Sequence, residues 1–197
     1  MRRLLVLSVV LTLLSAGCLG HNELVAEEIK FNGKVLNSEP DNGFNLTSTA
    51  GGNWSLEDAR GKVVILLFTF THCTETCPIV SANVQWVLQQ MSDEEKEQVL
   101  AVTVTLDPWR DTPEVLGNWS DERGYDWIHL TGNDSVIIGV LVDHYIFISP
   151  TSEDNYDIAH QQPTFLLDRD LNQRILWNGA EWMPELVLED VRTLLAE

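Results

Sequence analysis

Basic residues are in short supply in this chain: 12 Lys and Arg stand against 30 Asp and Glu, a formal charge of −18. A surface of that sign repels phosphate backbones, which excludes a nucleic-acid partner and reads as a strongly solvated exterior. Cysteine is scarce too. Cys18, Cys73 and Cys77 are the only three, too few to staple a miniature fold, and no second close pair exists to complete a four-cysteine zinc site. The apolar run over residues 4–14 is too short to cross a bilayer. There is no internal repeat, no low-complexity tract, and no cluster of Met or His to hint at additional metal sites.

What is present begins with a targeting pattern. Met1-Arg2-Arg3 is positively charged, residues 4–14 are almost all apolar, and Ser15-Ala16-Gly17 lead into Cys18. Such an order marks an export signal. Its ending resembles the lipobox of prokaryotic lipoproteins, in which the cysteine is lipidated and becomes the mature N-terminus. The expectation is a lipoprotein-type signal peptide over 1–17, a lipid on Cys18, and a protein held at the extracytoplasmic face of the cell membrane. Residues 18–40 are polar and acidic with little periodicity, which predicts a flexible tether, with His21 a solvated part of it. Residues 41–197 then form one domain, long enough to bury a real core.

Within that domain the pattern is α/β. Phe44 and Leu46 alternate with polar residues, and Asn53-Trp54-Ser55 follows a Gly-Gly turn, predicting an N-terminal β-hairpin with Ser55 capping a short turn. Residues 63–68 are continuously apolar, the mark of a central strand covered on both faces. Val80, Val84, Val87, Leu88 and Met91 recur at helical spacing, with Pro78 in the first turn. Residues 99–106 form a second buried strand, so strand, helix and strand make a parallel unit. A short helix is expected after Pro113, with Asp111 or Thr112 as its cap, then a strand over 126–132 and a helix from Asn133 or Asp134 to Leu141. An inserted hairpin is expected over residues 145–148 and 156–159. A terminal hairpin over 164–177 and a helix opened by Pro184 complete the domain.

Phe68-Thr69-Phe70-Thr71-His72-Cys73-Thr74-Glu75-Thr76-Cys77-Pro78 joins the central strand to its helix. At such a junction the unpaired helical N–H groups and the helix dipole favour thiolate over thiol. Two low-pKa sulfurs four residues apart serve either as a disulfide switch or as a clamp for a soft metal ion. Cu(I) accepts two thiolates with one imidazole. Of the histidines, His72 adjoins Cys73 and reads as a structural hydrogen-bonding residue, and His129 and His144 lie in apolar surroundings typical of satisfied core residues. His160 stands in the connection entering a core strand, from which a loop residue can reach the mouth where the thiols sit.

Three motifs in order, Phe-Thr-His-Cys-x-x-x-Cys-Pro from Phe70, Asp-Pro-x-Arg-Asp-Thr-Pro-Glu from Asp107, and His160 shortly before Phe165-Leu166-Leu167-Asp168, resemble the SCO/SenC copper-chaperone family. The resemblance runs from about Phe44 to the C-terminus. It implies a thioredoxin-like fold, a mostly parallel or mixed sheet flanked by helices, and copper, as Cu(I) with Cu(II) as a second state, held by Cys73, Cys77 and His160. It further implies an assembly factor that delivers copper or reducing equivalents to the CuA-bearing subunit of a haem–copper respiratory oxidase, anchored beside the membrane; a monomer is the expected state. Asp107 then has two readings: a carboxylate that orients a ligand or contacts copper in passing, or a turn residue paired with Arg110. The family carries Pro-Asp-Val between its cysteines, where this chain has Thr74-Glu75-Thr76. Gln162-Pro163-Thr164-Phe165 resembles the thioredoxin step in which a cis-proline packs beside redox cysteines. The alternative function is therefore an extracytoplasmic thiol–disulfide oxidoreductase in which Cys73 attacks and Cys77 resolves.

Overall fold

The computed structural model describes residues 30–150 and 158–197. The predicted signal peptide 1–17, Cys18, His21 and most of the 18–40 tether lie outside the described residues, as do residues 151–157, which include most of the turn expected over 149–155 and the start of its second arm. No helix among the described residues is long and apolar enough to cross a membrane.

Among the described residues, ten strands and five helices follow one another in the order β1 (Lys34–Pro40), β2 (Asn45–Ser48), β3 (Asn53–Ser55), a 3-10 turn (Leu56–Ala59), β4 (Val63–Thr69), α1 (Thr76–Gln89), α2 (Asp93–Glu97), β5 (Val99–Thr105), α3 (Pro113–Arg123), β6 (Ile128–Thr131), α4 (Asp134–Asp143), β7 (Ser149–Pro150), β8 (Ile158–Ala159), β9 (Pro163–Leu167), β10 (Asn172–Asn178) and α5 (Pro184–Ala196). Eight strands form one sheet in the order β1-β10-β9-β4-β5-β6-β2-β3, and β7 pairs only with β8. The pairs β4–β5 and β5–β6 are parallel, while β4–β9 and the outer pairs are antiparallel. The sheet is therefore mixed, with its parallel part at the centre.

β4 is the middle of the molecule because its continuous apolar sequence suits burial on both faces. Val64, Leu66 and Phe68 point to one side, where they meet Leu46, Leu56, Ile137 and Leu141. Val63, Ile65 and Leu67 point to the other, against Val80, Val84 and Val87 of α1 and Val187, Val191 and Leu194 of α5. Each such side chain fully removed from water contributes roughly 1.5–3 kcal/mol, an upper estimate for a real unfolded chain.

Two sequence expectations need correction. Residues 34–40, read as the end of the tether, are the edge strand β1, paired with β10 through Lys34↔Leu176, Val35↔Ile175, Glu39↔Gln173 and Pro40↔Asn172. Most of β1 is exposed, so it carries no apolar alternation to betray it, and its Lys, Glu and Pro residues suit an edge. The segment before it is clamped as well. The backbone N–H groups of Asn32 and Gly33 donate to the buried Asp190 carboxylate at 2.7 and 2.9 Å, and a Cβ on Gly33 would lie 2.5 Å from Ile175 Cγ2. Second, the inserted hairpin is present but its arms differ from those expected: β7 is Ser149–Pro150 and not residues 145–148, and it pairs antiparallel with the two-residue β8 (Ile158–Ala159). Tyr145 instead has φ +57° and ends α4, with Ile146 N–H donating to Leu141 O at 2.8 Å, a helix C-terminal closure. As expected, Pro78 lies in the first turn of α1, which begins at Thr76, where its missing N–H costs no helical hydrogen bond.

The start of the domain is latched to α4. The buried Asp41 carboxylate accepts hydrogen bonds from His144 Nε2 (2.8 Å), Gln173 Nε2 (2.9 Å) and Gly43 N–H (2.8 Å). His144 Nδ1 faces the Val140 carbonyl at 2.8 Å, and Phe44, Phe68 and Phe165 surround its ring. Burial alone would raise the Asp41 pKa; the hydrogen bond and charge of His144, with Gln173 and Gly43, outweigh it and hold the pKa below the usual 3.8. A depressed carboxylate stabilises the fold above its unfolded pKa and loses that contribution as pH falls through the folded value. Asp41→Asn should therefore be less stable than wild type by about 1–3 kcal/mol at pH 7, the scale of a disrupted buried hydrogen bond to a charged group. Urea denaturation at pH 7, 5 and 3 should show the gap closing only at the most acid point; a constant gap contradicts the latch.

Candidate metal centre

β4 delivers its chain to the edge of the core at Thr69 and Phe70, and the turn that follows is closed by Cys73 N–H donating to Phe70 O at 3.2 Å. Helix α1 then starts with no side-chain cap. The sulfur of Cys73 takes that role: Cys77 N–H donates to Cys73 Sγ at 3.3 Å. An unpaired N–H of the first helical turn is thereby spent on a sulfur, which favours negative charge there. Cys73 is half-buried, Cys77 is fully buried, and both are free.

His160 enters from the loop between β8 and β9. Its ring stands edge-on to Phe70, with centroids 5.5 Å apart, and its Nδ1 faces the Gln161 carbonyl at 2.6 Å. The ligand atoms of Cys73, Cys77 and His160 all lie within 4.8 Å of one another. The neighbouring Cys77 thiol is the largest cause that lowers the Cys73 pKa, to about 3; burial opposes it, and His160 with the N–H groups of Cys77 and Glu75 adds to the lowering. The Cys77 thiol moves the other way, pushed up by its bond to Cys73 and then by burial. The pair is thus one exposed-side thiolate beside one buried thiol.

Asp107 is buried and bonded to Arg110 Nε. Its ligand atoms gather with those of His72 and Asp111 within 4.8 Å, and not with the sulfurs. The turn-residue reading thus describes its main contact, although its Oδ1 has no hydrogen-bond partner among the described residues. The remaining histidines sit where the sequence suggested. His72 is exposed, with Nδ1 3.0 Å from Thr71 Oγ1. His129 stacks on Trp127 (centroids 5.3 Å, 26° between planes), and burial brings its pKa down to about 4. His144 belongs to the Asp41 latch.

Two supporting residues escaped the sequence reading. Asp111 had been a candidate helix cap, but Thr112 caps α3 by accepting from Val115 N–H at 3.3 Å. Asp111 instead clasps the cysteine loop to the sheet: Thr71 Oγ1–H (2.5 Å), Thr71 N–H (3.1 Å) and Thr105 Oγ1–H (2.6 Å) all donate to its carboxylate. Burial raises its pKa against those bonds. Gln162 is the other, buried between Phe68 and Cys77. The Thr71–Asp111 spacing is 40 residues, so no local signal announced it. The peptide bond before Pro163 is trans, as are the other described peptide bonds.

The SCO1/SenC family profile matches residues 34–196. The chain is similar to the SCO2-like protein RP587 of Rickettsia prowazekii, 32% identical over 130 residues, covering 64% of this chain and 63% of that protein. To the mitochondrial protein SCO2 of Saccharomyces cerevisiae it is 27% identical over 153 residues, covering 76% of this chain and 50% of that one. The chain thus spans between half and two thirds of the length of these curated relatives. Among solved structures it resembles Bradyrhizobium japonicum ScoI with copper bound (TM-score 0.69, 26% identity, covering 78% of this chain and 98% of that one). It also resembles a SCO1/SenC family lipoprotein from Bacillus anthracis (TM-score 0.72, 28% identity, covering 85% and 100%). The fold is thioredoxin-like.

The asymmetry of the two thiols is directly measurable. Iodoacetamide should alkylate Cys73 at nearly the same rate at pH 5 and pH 7, because its thiolate is already formed above about 3. Cys77 should stay unmodified over the same interval. Peptide mass mapping checks both; a Cys73 rate that climbs about tenfold per pH unit would contradict the assignment.

Proposed function

This chain belongs to the SCO1/SenC family, and from that premise we propose that it is a copper-binding assembly factor serving the CuA-bearing subunit of a haem–copper respiratory oxidase. The observation that carries the reading is the convergence of two sulfurs and an imidazole within 4.8 Å, from positions 73, 77 and 160. Copper is cargo here. Two thiolates and one imidazole form a soft three-donor set suited to Cu(I), and the relative from Bradyrhizobium japonicum is described with copper bound.

Each residue has a distinct part. Cys73, already a thiolate, is the first point of capture. Cys77 joins by releasing its proton to solvent, so affinity weakens as the medium turns acid. With His160 Nδ1–H donated to the Gln161 carbonyl, Nε2 is the ring nitrogen left to ligate. The half-exposed position of Cys73 and His160 opens the site to transfer, while Cys77 anchors it in the core. Asp111 holds the loop in register.

A second reading, thiol–disulfide exchange, is favoured by the thiolate–thiol asymmetry of the same pair, since the attacking thiol of an exchange reaction must be deprotonated. It predicts indifference to His160.

Titration of the reduced protein with Cu(I) against a competing chelator should give one equivalent bound. His160→Ala should weaken it by about 100-fold, the upper end of the loss that follows from disturbing a metal site's surroundings. Unchanged affinity in His160→Ala, or no copper retained by the wild type, removes the copper reading and leaves the exchange reading. We propose lipid anchoring at Cys18 on the extracytoplasmic face on the strength of the Ser15-Ala16-Gly17-Cys18 pattern. Metabolic labelling with a fatty acid should mark the wild type and leave Cys18→Ser unlabelled; equal labelling of both would defeat the anchor.

A further inference from the structure

Gln162 lies behind the sulfur pair, at the point where the chain enters β9. It is 6% exposed, and its backbone carbonyl is fixed to the sheet by Gly179 N–H at 2.9 Å. Its side-chain amide donates from Nε2 to the Phe68 carbonyl at 2.7 Å. That carbonyl can only accept, so the amide cannot be turned over, and Oε1 necessarily faces the other way. There it accepts from the Cys77 thiol at 3.6 Å, whose single proton it shares with the Cys73 sulfur, and from Thr76 Oγ1–H at 3.5 Å.

We propose that Gln162 is a positioning residue that biases the Cys73–Cys77 pair toward its dithiol form, by offering a buried hydrogen-bond acceptor that the dithiol can satisfy and the disulfide cannot. The proposal rests on the reading of the pair as a copper-receiving site and deepens it, because only the reduced pair can take up Cu(I). Oxidation proceeds by exchange with an external disulfide. The Cys73 thiolate attacks one of its sulfurs and expels the other as a thiolate. The Cys77 sulfur then attacks Cys73, its proton passes to solvent, and the second external thiolate leaves; two electrons have moved to the external disulfide. The new Cys73–Cys77 bond carries no S–H. Oε1 of Gln162 is left with the Thr76 hydroxyl alone, at the outer limit of a useful hydrogen bond. A buried acceptor deprived of its donor is costly, and that cost falls on the disulfide only.

The test uses copper-free full-length protein equilibrated in dithiothreitol redox buffers, comparing wild type with Gln162→Met, a side chain of similar length without the amide. The equilibrium constant for disulfide formation should rise about fivefold to tenfold in the variant, which moves the potential about 20–30 mV more negative for a two-electron couple. A merely structural role for Gln162 would lower the stability of both redox forms and leave the potential in place, and that outcome overturns the proposal. A second readout needs no variant. In wild type carrying 13C at glutamine side-chain carbonyls, the reduced-minus-oxidised infrared difference spectrum should contain a glutamine carbonyl band that moves to higher frequency on oxidation; no such band overturns the proposal equally. Neither measurement involves copper, so failure here is separable from failure of the copper titration.

Discussion

The cysteine loop hangs from the end of β4, and its position is only as definite as the register of that strand. Both faces of β4 are apolar, so a slip of one residue would still bury hydrophobic side chains on either side, and polarity alone does not pin it. Two other constraints do. The ladder to β5 matches seven consecutive pairs, Val63↔Val99 through Thr69↔Thr105, while β9 pairs from the opposite side. At the open end, Asp111 binds Thr71 of the loop and Thr105 of β5 at once. A buried carboxylate with these donors is satisfied in one register only, which converts a permissive strand into a fixed platform.

The electrostatics of the centre are local. A chain of charge −18 offers no general help to a thiolate, yet Cys73 is a thiolate well below neutral pH. Its charge is held by the N–H groups that open α1 and by the thiol beside it, all within contact distance and shielded from the solvent that screens the distant carboxylates. The same arrangement separates the two sulfurs by role. One is accessible and ready, the other buried and protonated, a division that serves stepwise uptake of a soft ion as well as it serves exchange chemistry.

Legibility of the sequence followed the range over which each signal acts. Ser55 caps the short turn after it, and the β2–β3 hairpin closes through its Gly-Gly turn, because such signals need only a few residues. The strand at 34–40 was missed since its stabilisation comes from backbone pairing with β10, more than 130 residues away, next to a segment that Asp190 holds through Asn32 and Gly33. Tyr145 in a left-handed conformation had no glycine to announce it. Asp111 and Gln162 looked like a cap and part of a proline step; their real partners come from other elements.

The residues alone determined the kinds of chemistry on offer: a close pair of thiols at a strand-to-helix junction, five histidines, no further cysteine pair, and an apolar rhythm that permits one α/β domain. They did so because donor type and periodicity are properties of the chain itself. Which imidazole meets the sulfurs, which thiol is charged, and which polar side chains stand behind them were settled by folding alone. Those choices depend on distances between points 40 to 94 positions apart, and only the pairing of β4 with β5 on one side and β9 on the other, with their loops at the same sheet end, brings such points within bonding range.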